Sequence, residues 1–215
     1  MPKVVNPKHP YAHAAQLPGE GPVTLASIFP SRPPVFEVEI GPGRGGFVFE
    51  RCAADPDVSI VGLEIRFKWA HIVDQRLGKA GLHDRARVFG ADAKEALARI
   101  EPGACVRTVF LLFPDPWWKK RHEKRLVLGD ELLDQIARLL TPSGHLFIET
   151  DVDDRAALYA ERVAAHGAFM PDGDVPGVPA LAENPYGARS PREHRAIADG
   201  LPIYRLRYRL RSSDG

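Results

Sequence analysis

Residues 35–46 read VFEVEIGPGRGG. Residues 35–40 mix apolar and acidic side chains and read as a short strand. Gly41, Gly43 and Gly46 follow. Glycines at this spacing let the backbone turn tightly into a helix and approach a ligand closely. A helix is expected over 47–54. A strand, a glycine-rich turn and a helix in that order open a nucleotide-binding unit when further strand–helix pairs follow.

Further pairs do follow. Residues 58–63 (VSIVGL) read as a second buried strand ending at Glu64. A helix is expected over 67–80, a third strand over 86–89, and, after Gly90-Ala91-Asp92-Ala93, a helix to Ile100. Residues 106–112 read as the fourth strand. Leu132, Leu133, Ile136, Leu139 and Leu140 fall at helical spacing within 129–140. Pro142-Ser143-Gly144 reads as a turn, 145–149 as a fifth strand, and 153–166 as a helix. Five strand–helix alternations predict an α/β protein with a doubly wound, mostly parallel sheet. Such sheets take ligands beyond the carboxyl ends of their strands. Those ends carry Glu39 with Gly41, then Glu64, Asp92, Asp115 and Asp151. Helix capping also favours acids after strands, so part of that pattern is structural.

The fourth strand runs into FPDPWWKKRHEKR at 113–125. Pro114 and Pro116 each remove a backbone donor and stop the ladder. Asp115 lies between them. Trp117 and Trp118 follow, then Lys119, Lys120, Arg121, Lys124 and Arg125. An acid, flat aromatic surfaces and a basic cluster at a strand end suit a site that takes an anionic polymer and handles a base.

The rest of the chain bounds the reading. At 215 residues, 44% of them hydrophobic, one domain with a real core is expected. Residues 1–34 read as an arm or partial cap with a short helix near 25–29, and 35–215 as the main domain. The net charge of +1 excludes a global basic field, so nucleic-acid affinity must be local. Cys52 and Cys105 read as small hydrophobes, and no metal-binding pattern is present. With neither a signal-like segment nor a membrane-length apolar run, a cytoplasmic protein is expected. Residues 167–188 read as a loop with a short strand near Phe169. Ser190-Pro191-Arg192-Glu193 is a capping box that opens a helix ended by Gly200. Residues 203–211 alternate strictly, setting Arg205, Arg207, Arg209 and Arg211 on one side of a strand. That stripe reads either as protection of a sheet edge or as an RNA contact.

The glycine loop by itself does not separate a dinucleotide from S-adenosylmethionine. Glu39, two residues ahead of Gly41, would oppose a pyrophosphate but suits the cationic methionine end of S-adenosylmethionine. Glu64 can take ribose hydroxyls, and Asp92 can accept from the adenine amine. No separate domain for a hydride acceptor is evident. S-adenosylmethionine is therefore expected over a nicotinamide.

These residues together resemble a known family, the bacterial tRNA (guanine-N7)-methyltransferases. VEIGPGRGG, Gly62–Glu64, ADA at 91–93, FPDPWWKKRHEKR and LLTPSGHLFIETD at 139–151 carry the resemblance. It implies a Rossmann-like class I methyltransferase with an antiparallel C-terminal strand. It implies cofactor contacts at Glu39, Gly41, Gly43, Glu64, Asp92 and Asp115, with Asp115 also the catalytic acid. It implies a substrate side built from Lys119, Arg121, Asp151 and Glu193, with Glu193 standing where the family has threonine. Trp118 stands where the family usually has proline, and Leu126 where it has arginine. The implied partner is tRNA, methylated at a guanine in the variable loop, position forty-six. No metal and no membrane are implied, and the oligomeric state stays open with a monomer favoured. Other readings are a methyltransferase for another RNA site or a small molecule, or a non-catalytic RNA-binding module.

Overall fold

The computed structural model describes residues 10–31, 35–115 and 128–211. In chain order the elements are β1 (Val23–Thr24), α1 (Leu25–Ile28), β2 (Phe36–Ile40), α2 (Gly46–Ala54), β3 (Ser59–Glu64) and α3 (Phe67–Lys79). Then come β4 (Ala86–Gly90), α4 (Ala93–Arg99), β5 (Ile100–Glu101), β6 (Val106–Leu112) and α5 (Asp130–Leu139). The chain finishes with β7 (Leu140–Thr150), α6 (Asp153–His166), β8 (Phe169–Pro171), α7 (Pro191–Ala198) and β9 (Tyr204–Leu210).

Among the described residues, seven strands form one sheet in the order β4-β3-β2-β6-β7-β9-β8. β4, β3, β2, β6 and β7 are parallel, while β9 runs antiparallel to both β7 and β8. The order reverses at β2, between β3 and β6, which places the switch point at the glycine turn. Every residue of β2 and β3 is buried, as expected of parallel strands covered on both faces.

Alternation divides the core into two layers. Val38, Ile40, Val61, Leu63, Val109 and Leu111 pack on one face with Leu133 and Ile136 of α5 and Val163 of α6. Ile60, Val88, Phe110 and Phe147 pack on the other with Phe47 and Val48 of α2 and Val73 and Leu77 of α3. The apolar stripe expected in α5 is fully buried at Leu132, Leu133, Ile136 and Leu139. Fully burying one such side chain stabilises by about 1.5–3 kcal/mol.

Residues 10–31 lie against this body. Ala14, Leu17, Val23, Leu25 and Phe29 are buried, β1 pairs with β5, and the Gly90 N–H donates to the Ala15 carbonyl at 2.7 Å. The turn expected at 142–144 lies inside β7 and takes up a register shift against β6: Val106 pairs with Leu140, yet Thr108 pairs with His145.

The arginine stripe does not protect a sheet edge. β9 is an inner strand, so it guards no edge. Its arginines are engaged within the protein. Arg205 pairs with Glu149 and Glu193, Arg207 with Asp172, and Arg209 reaches the same Asp172 at 3.8 Å. Arg211, just past the strand, donates to the carbonyls of Gly167 and Phe169. The loop 167–188 supplies most of these partners. A half-buried sheet face carrying arginines is tolerated because each charge meets an acceptor.

Candidate active site

The glycine turn is built from left-handed residues. Gly41, Gly43 and Gly45 have φ of 74°, 54° and 77°, a region that side chains with a Cβ rarely enter. Their surroundings differ. A Cβ on Gly41 would meet nothing within 4 Å, and one on Gly43 would meet only the Gly41 carbonyl at 3.9 Å. A Cβ on Gly45 would strike Val73 at 2.3 Å, and one on Gly46 would strike the Pro191 ring at 2.4 Å. The first two glycines thus border open space, while the next two admit α3 and α7. The three-glycine pattern read from the sequence omitted Gly45, which caps α2 and turns the chain into it.

Two acids flank this turn. Glu39 and Glu64 stand on neighbouring strands, and both are buried. Glu64 Oε2 accepts from the Gly43 N–H at 2.9 Å. Its Oε1 accepts from the Arg66 N–H at 2.8 Å and from Arg66 Nε at 3.3 Å. Glu64 therefore fixes the shape of the turn. Glu39 differs: its Oε2 is buried without a hydrogen-bond partner among the described residues. Burial, reinforced by the nearby Glu64 carboxylate, pushes Glu39 up to about 8. A buried carboxyl with an unused oxygen, beside open space over two glycines, is poised to take a donor or a cation.

Asp92 caps α4, its Oδ1 accepting from the Lys94 N–H at 3.0 Å, and it is exposed at the end of β4. Asp115 follows β6. Phe113 turns the chain with φ of 46°, while its N–H donates to the Glu149 carbonyl at 2.8 Å. A left-handed conformation at a bulky residue is costly and persists only where the surroundings hold it. It releases Asp115 from the ladder as an exposed residue.

Tyr159 of α6 was not picked out by sequence and is buried, with its hydroxyl unpartnered among the described residues. Helical side chains lean toward the helix N-terminus, so this phenol leans toward the strand ends. Burial pushes it up, Arg155 and Arg162 pull it down, and the Asp115 carboxylate adds to the upward push. Lys119 and Arg121, with Trp117, Trp118 and the rest of that basic stretch, lie outside the described residues.

Asp151 follows β7 and is engaged by Arg192, which the capping box of α7 holds in its first turn. Arg192 is a second residue that sequence reasoning passed over, since nothing local says that α7 reaches the end of β7.

Glu193 must be corrected. It does not face a substrate: it is 0% exposed, its Oε1 accepting from Arg205 at 2.9 Å and its Oε2 from Asn184 at 3.0 Å. Arg205 also donates to Glu149 at 3.0 Å. Burial and the neighbouring Glu193 raise Glu149, against the pull of Arg205. Glu193 belongs to a buried acid–arginine–acid link that fixes α7 to β7 and β9. A capping-box glutamate is ordinarily exposed, and here tertiary packing overrides that tendency.

No cluster suited to a metal ion occurs among the described residues, and no helix there is long and apolar enough to cross a membrane.

This fold, a glycine turn at the switch point with acids at the strand ends, is that of the class I methyltransferases. Solved structures agree. The 16S rRNA methyltransferase KamB superposes with a TM-score of 0.58 at 15% identity, covering 86% of this chain and 92% of that one. The precorrin-6y C5,15-methyltransferase from Geobacter metallireducens GS-15 gives 0.53 at 17% identity, covering 85% and 82%. A family model described as "Putative methyltransferase" matches residues 33–206. The tRNA (guanine-N(7)-)-methyltransferase of Myxococcus xanthus (strain DK1622) is 36% identical over 171 residues, 80% of this chain and 81% of that protein. The enzyme of the same name from Microcystis aeruginosa (strain NIES-843 / IAM M-2473) is 32% identical over 210 residues, 96% of each. The chain belongs to the tRNA (guanine-N7)-methyltransferase family.

Proposed function

We propose that this protein transfers the methyl group of S-adenosylmethionine to N7 of a guanine in tRNA, at position forty-six of the variable loop. The observation that carries the reading is the 32% identity to a tRNA (guanine-N(7)-)-methyltransferase over 96% of both chains, which takes in every candidate site residue.

The site fits such a cofactor. The unused Oε2 of Glu39 suits the ammonium of the methionine end. Open space over Gly41 and Gly43 admits the close approach of a ligand backbone. Glu64, whose carboxylate is fixed by Gly43 and Arg66, keeps lone pairs for ribose hydroxyls. Asp92 keeps an oxygen beyond its capping bond for the adenine amine. Bound there, S-adenosylmethionine supplies a methyl group on a positively charged sulfur.

Guanine N7 carries an in-plane lone pair and no proton at neutral pH, so this chain needs no general base. Its task is alignment of N7 with the methyl carbon, which accounts for ~7–11 kcal/mol in well-oriented systems. As N7 gains positive charge, the Asp115 carboxylate stabilises it electrostatically. Asp115 and Asp151 are also acceptors for N1–H and the N2 amine of guanine. Asp151 becomes available when Arg192 turns to another anion, and the tRNA phosphate chain offers many. Lys119 and Arg121 complete the substrate side as phosphate contacts. Residues 35–215 act as the catalytic unit under a partial cap from the N-terminal arm, in the cytoplasm.

The test is methylation of bulk tRNA with labelled cofactor, followed by mapping of the modified nucleotide. Label at N7 of guanine forty-six is expected. Label on another atom or position, or none, overturns the reading.

A further inference from the structure

Outside the acids of the site, the same rim carries a set of cations that the mechanism does not use. Arg44, within the glycine turn, sets its guanidinium 5.1 Å from the centre of the Trp69 ring. Lys68 Nζ stands 5.5 Å from that same ring. Arg76, two turns further along α3, donates to the Arg44 carbonyl at 3.0 Å and lies 4.9 Å from the Phe49 ring. Arg44, Lys68 and Arg76 are exposed, while Trp69 and Phe49 are half-buried.

No acid neutralises them among the described residues. The carboxylates nearest in sequence lie elsewhere: Glu39 is buried in β2, Glu50 holds His194 and the Arg189 N–H, Glu64 is taken by Arg66 and Gly43, and Asp74 by Arg87 and His83. The remaining charged residue on the exposed face of α3 is Lys79, another cation. β9 is the contrast, since Arg205, Arg207 and Arg209 there each meet a carboxylate. In a chain of net charge +1, this rim is a local concentration of one sign.

An ordinary solvated helix face mixes both signs and has no need of aromatic rings. Here Trp69 carries a guanidinium and an ammonium over its ring, and Phe49 a second guanidinium. That arrangement leaves planar faces for bases and N–H edges for phosphates, the combination that suits a nucleic-acid strand. An acidic protein segment would satisfy the charge but not use the rings.

Position decides which nucleic acid. Arg44 follows β2, and Lys68 and Trp69 lie in the first turn of α3 after β3, so they stand at the carboxyl ends of the strands. Asp115 and Asp151 occupy the same rim on the opposite side of β2, after β6 and β7. A tRNA presenting its guanine at Asp115 meets this patch across the glycine turn. We infer that Arg44, Lys68 and Arg76, held around Trp69 and Phe49, form a second tRNA-docking surface that grips a strand outside the methylated loop. This rests on the proposed function.

The test compares wild type with Lys68→Ala/Arg76→Ala, with Trp69→Leu, and with the charge-keeping Lys68→Arg/Arg76→Lys. Purified tRNA is the ligand for binding at a series of salt concentrations and for steady-state methylation. Cofactor affinity is measured by calorimetry. The double alanine variant should raise the tRNA KM by about tenfold, leave kcat unchanged, and flatten the log–log salt slope by about 0.7–0.9 per lost phosphate contact. Trp69→Leu should raise KM with the slope unchanged. The charge-keeping variant should behave as wild type, and cofactor affinity should be the same in all four. Alanine variants indistinguishable from an active wild type overturn the inference alone. A loss of cofactor affinity, or competition by poly-aspartate as strong as by tRNA, overturns it too. A wild type that methylates no tRNA overturns the function beneath it.

Discussion

The ring of Pro191 occupies the place where a Cβ of Gly46 would stand, its Cγ 2.4 Å from that position. The first residue of α7 thus rests on the first residue of α2, at the base of the glycine turn. His194 and the Arg189 N–H reinforce the contact by binding the Glu50 carboxylate. The position of α7, and with it the reach of Arg192 to Asp151, depends on a missing methyl group.

Gly46→Ala should therefore displace α7. Overpacking of this kind costs about 1–3 kcal/mol. Chemical denaturation measures it, and Pro191→Ala in the same chain should recover part of the loss. The tRNA KM should rise with the displacement. Full stability in Gly46→Ala would mean that α7 is not seated there in solution.

Glu39 predicts a pH dependence. Its pKa is raised from 4.5 to about 8 in the folded protein, so between those values the folded state holds a proton that the unfolded chain has released. Stability must then fall as pH rises through that window, by up to ~1.4 kcal/mol per pH unit for a single proton. Glu39→Gln removes this contribution, whereas the raised Glu149 remains in both proteins and cancels in the comparison. Urea unfolding at intervals from pH 5 to 8 should show the variant gaining on wild type. Parallel curves would contradict the assignment.

Arg205 and Glu193 should rank in a definite order. Arg205→Ala leaves Glu149 buried with no cation and Glu193 with only Arg189 at 3.7 Å, at a cost of about 3–5 kcal/mol. Glu193→Gln keeps the shape of the side chain and removes the repulsion on Glu149, so its cost should be well below that. Thermal or urea unfolding of both variants gives the order, and the reverse order would exclude the bridging role of Arg205.

Asp115→Asn is nearly isosteric at an exposed position and should leave folding unharmed. It removes a charge and turns one acceptor oxygen into a donor that faces the donors of guanine. Single-turnover methyl transfer should slow by about a hundredfold, on the order of 3 kcal/mol. Near-normal rates would reduce Asp115 to a turn residue and direct attention to Asp151.

What was legible in the sequence was what local pattern encodes. Apolar runs bounded by glycine and acids marked β2, β3, β4 and β6, and the helical spacing of Leu132, Leu133 and Ile136 marked α5. Glu39, Glu64, Gly41 and Gly43 were legible because one turn contains the glycines and each acid ends a strand. The fate of Glu193 was not, since its partners Arg205 and Asn184 are joined to it only by folding. The alternation of β9 revealed a strand but not its neighbours. Pairing with β7 and β8 depends on a loop whose carbonyls and Asp172 take up the arginines.

The inner place of β9 has a consequence for synthesis. A ribosome that has reached residue 200 has already made Glu39, Glu64, Asp92, Asp115 and Asp151, yet β7 still lacks its antiparallel neighbour. Until Tyr204–Leu210 leaves the exit tunnel, β7 presents an open row of backbone donors and acceptors, and Glu149 lies beside Glu193 without Arg205. Such an edge is a template for pairing between chains. Products released early would carry the acids of the site but fall to aggregation or proteolysis. Protection of the edge of β7 thereby waits on a strand made more than fifty residues later.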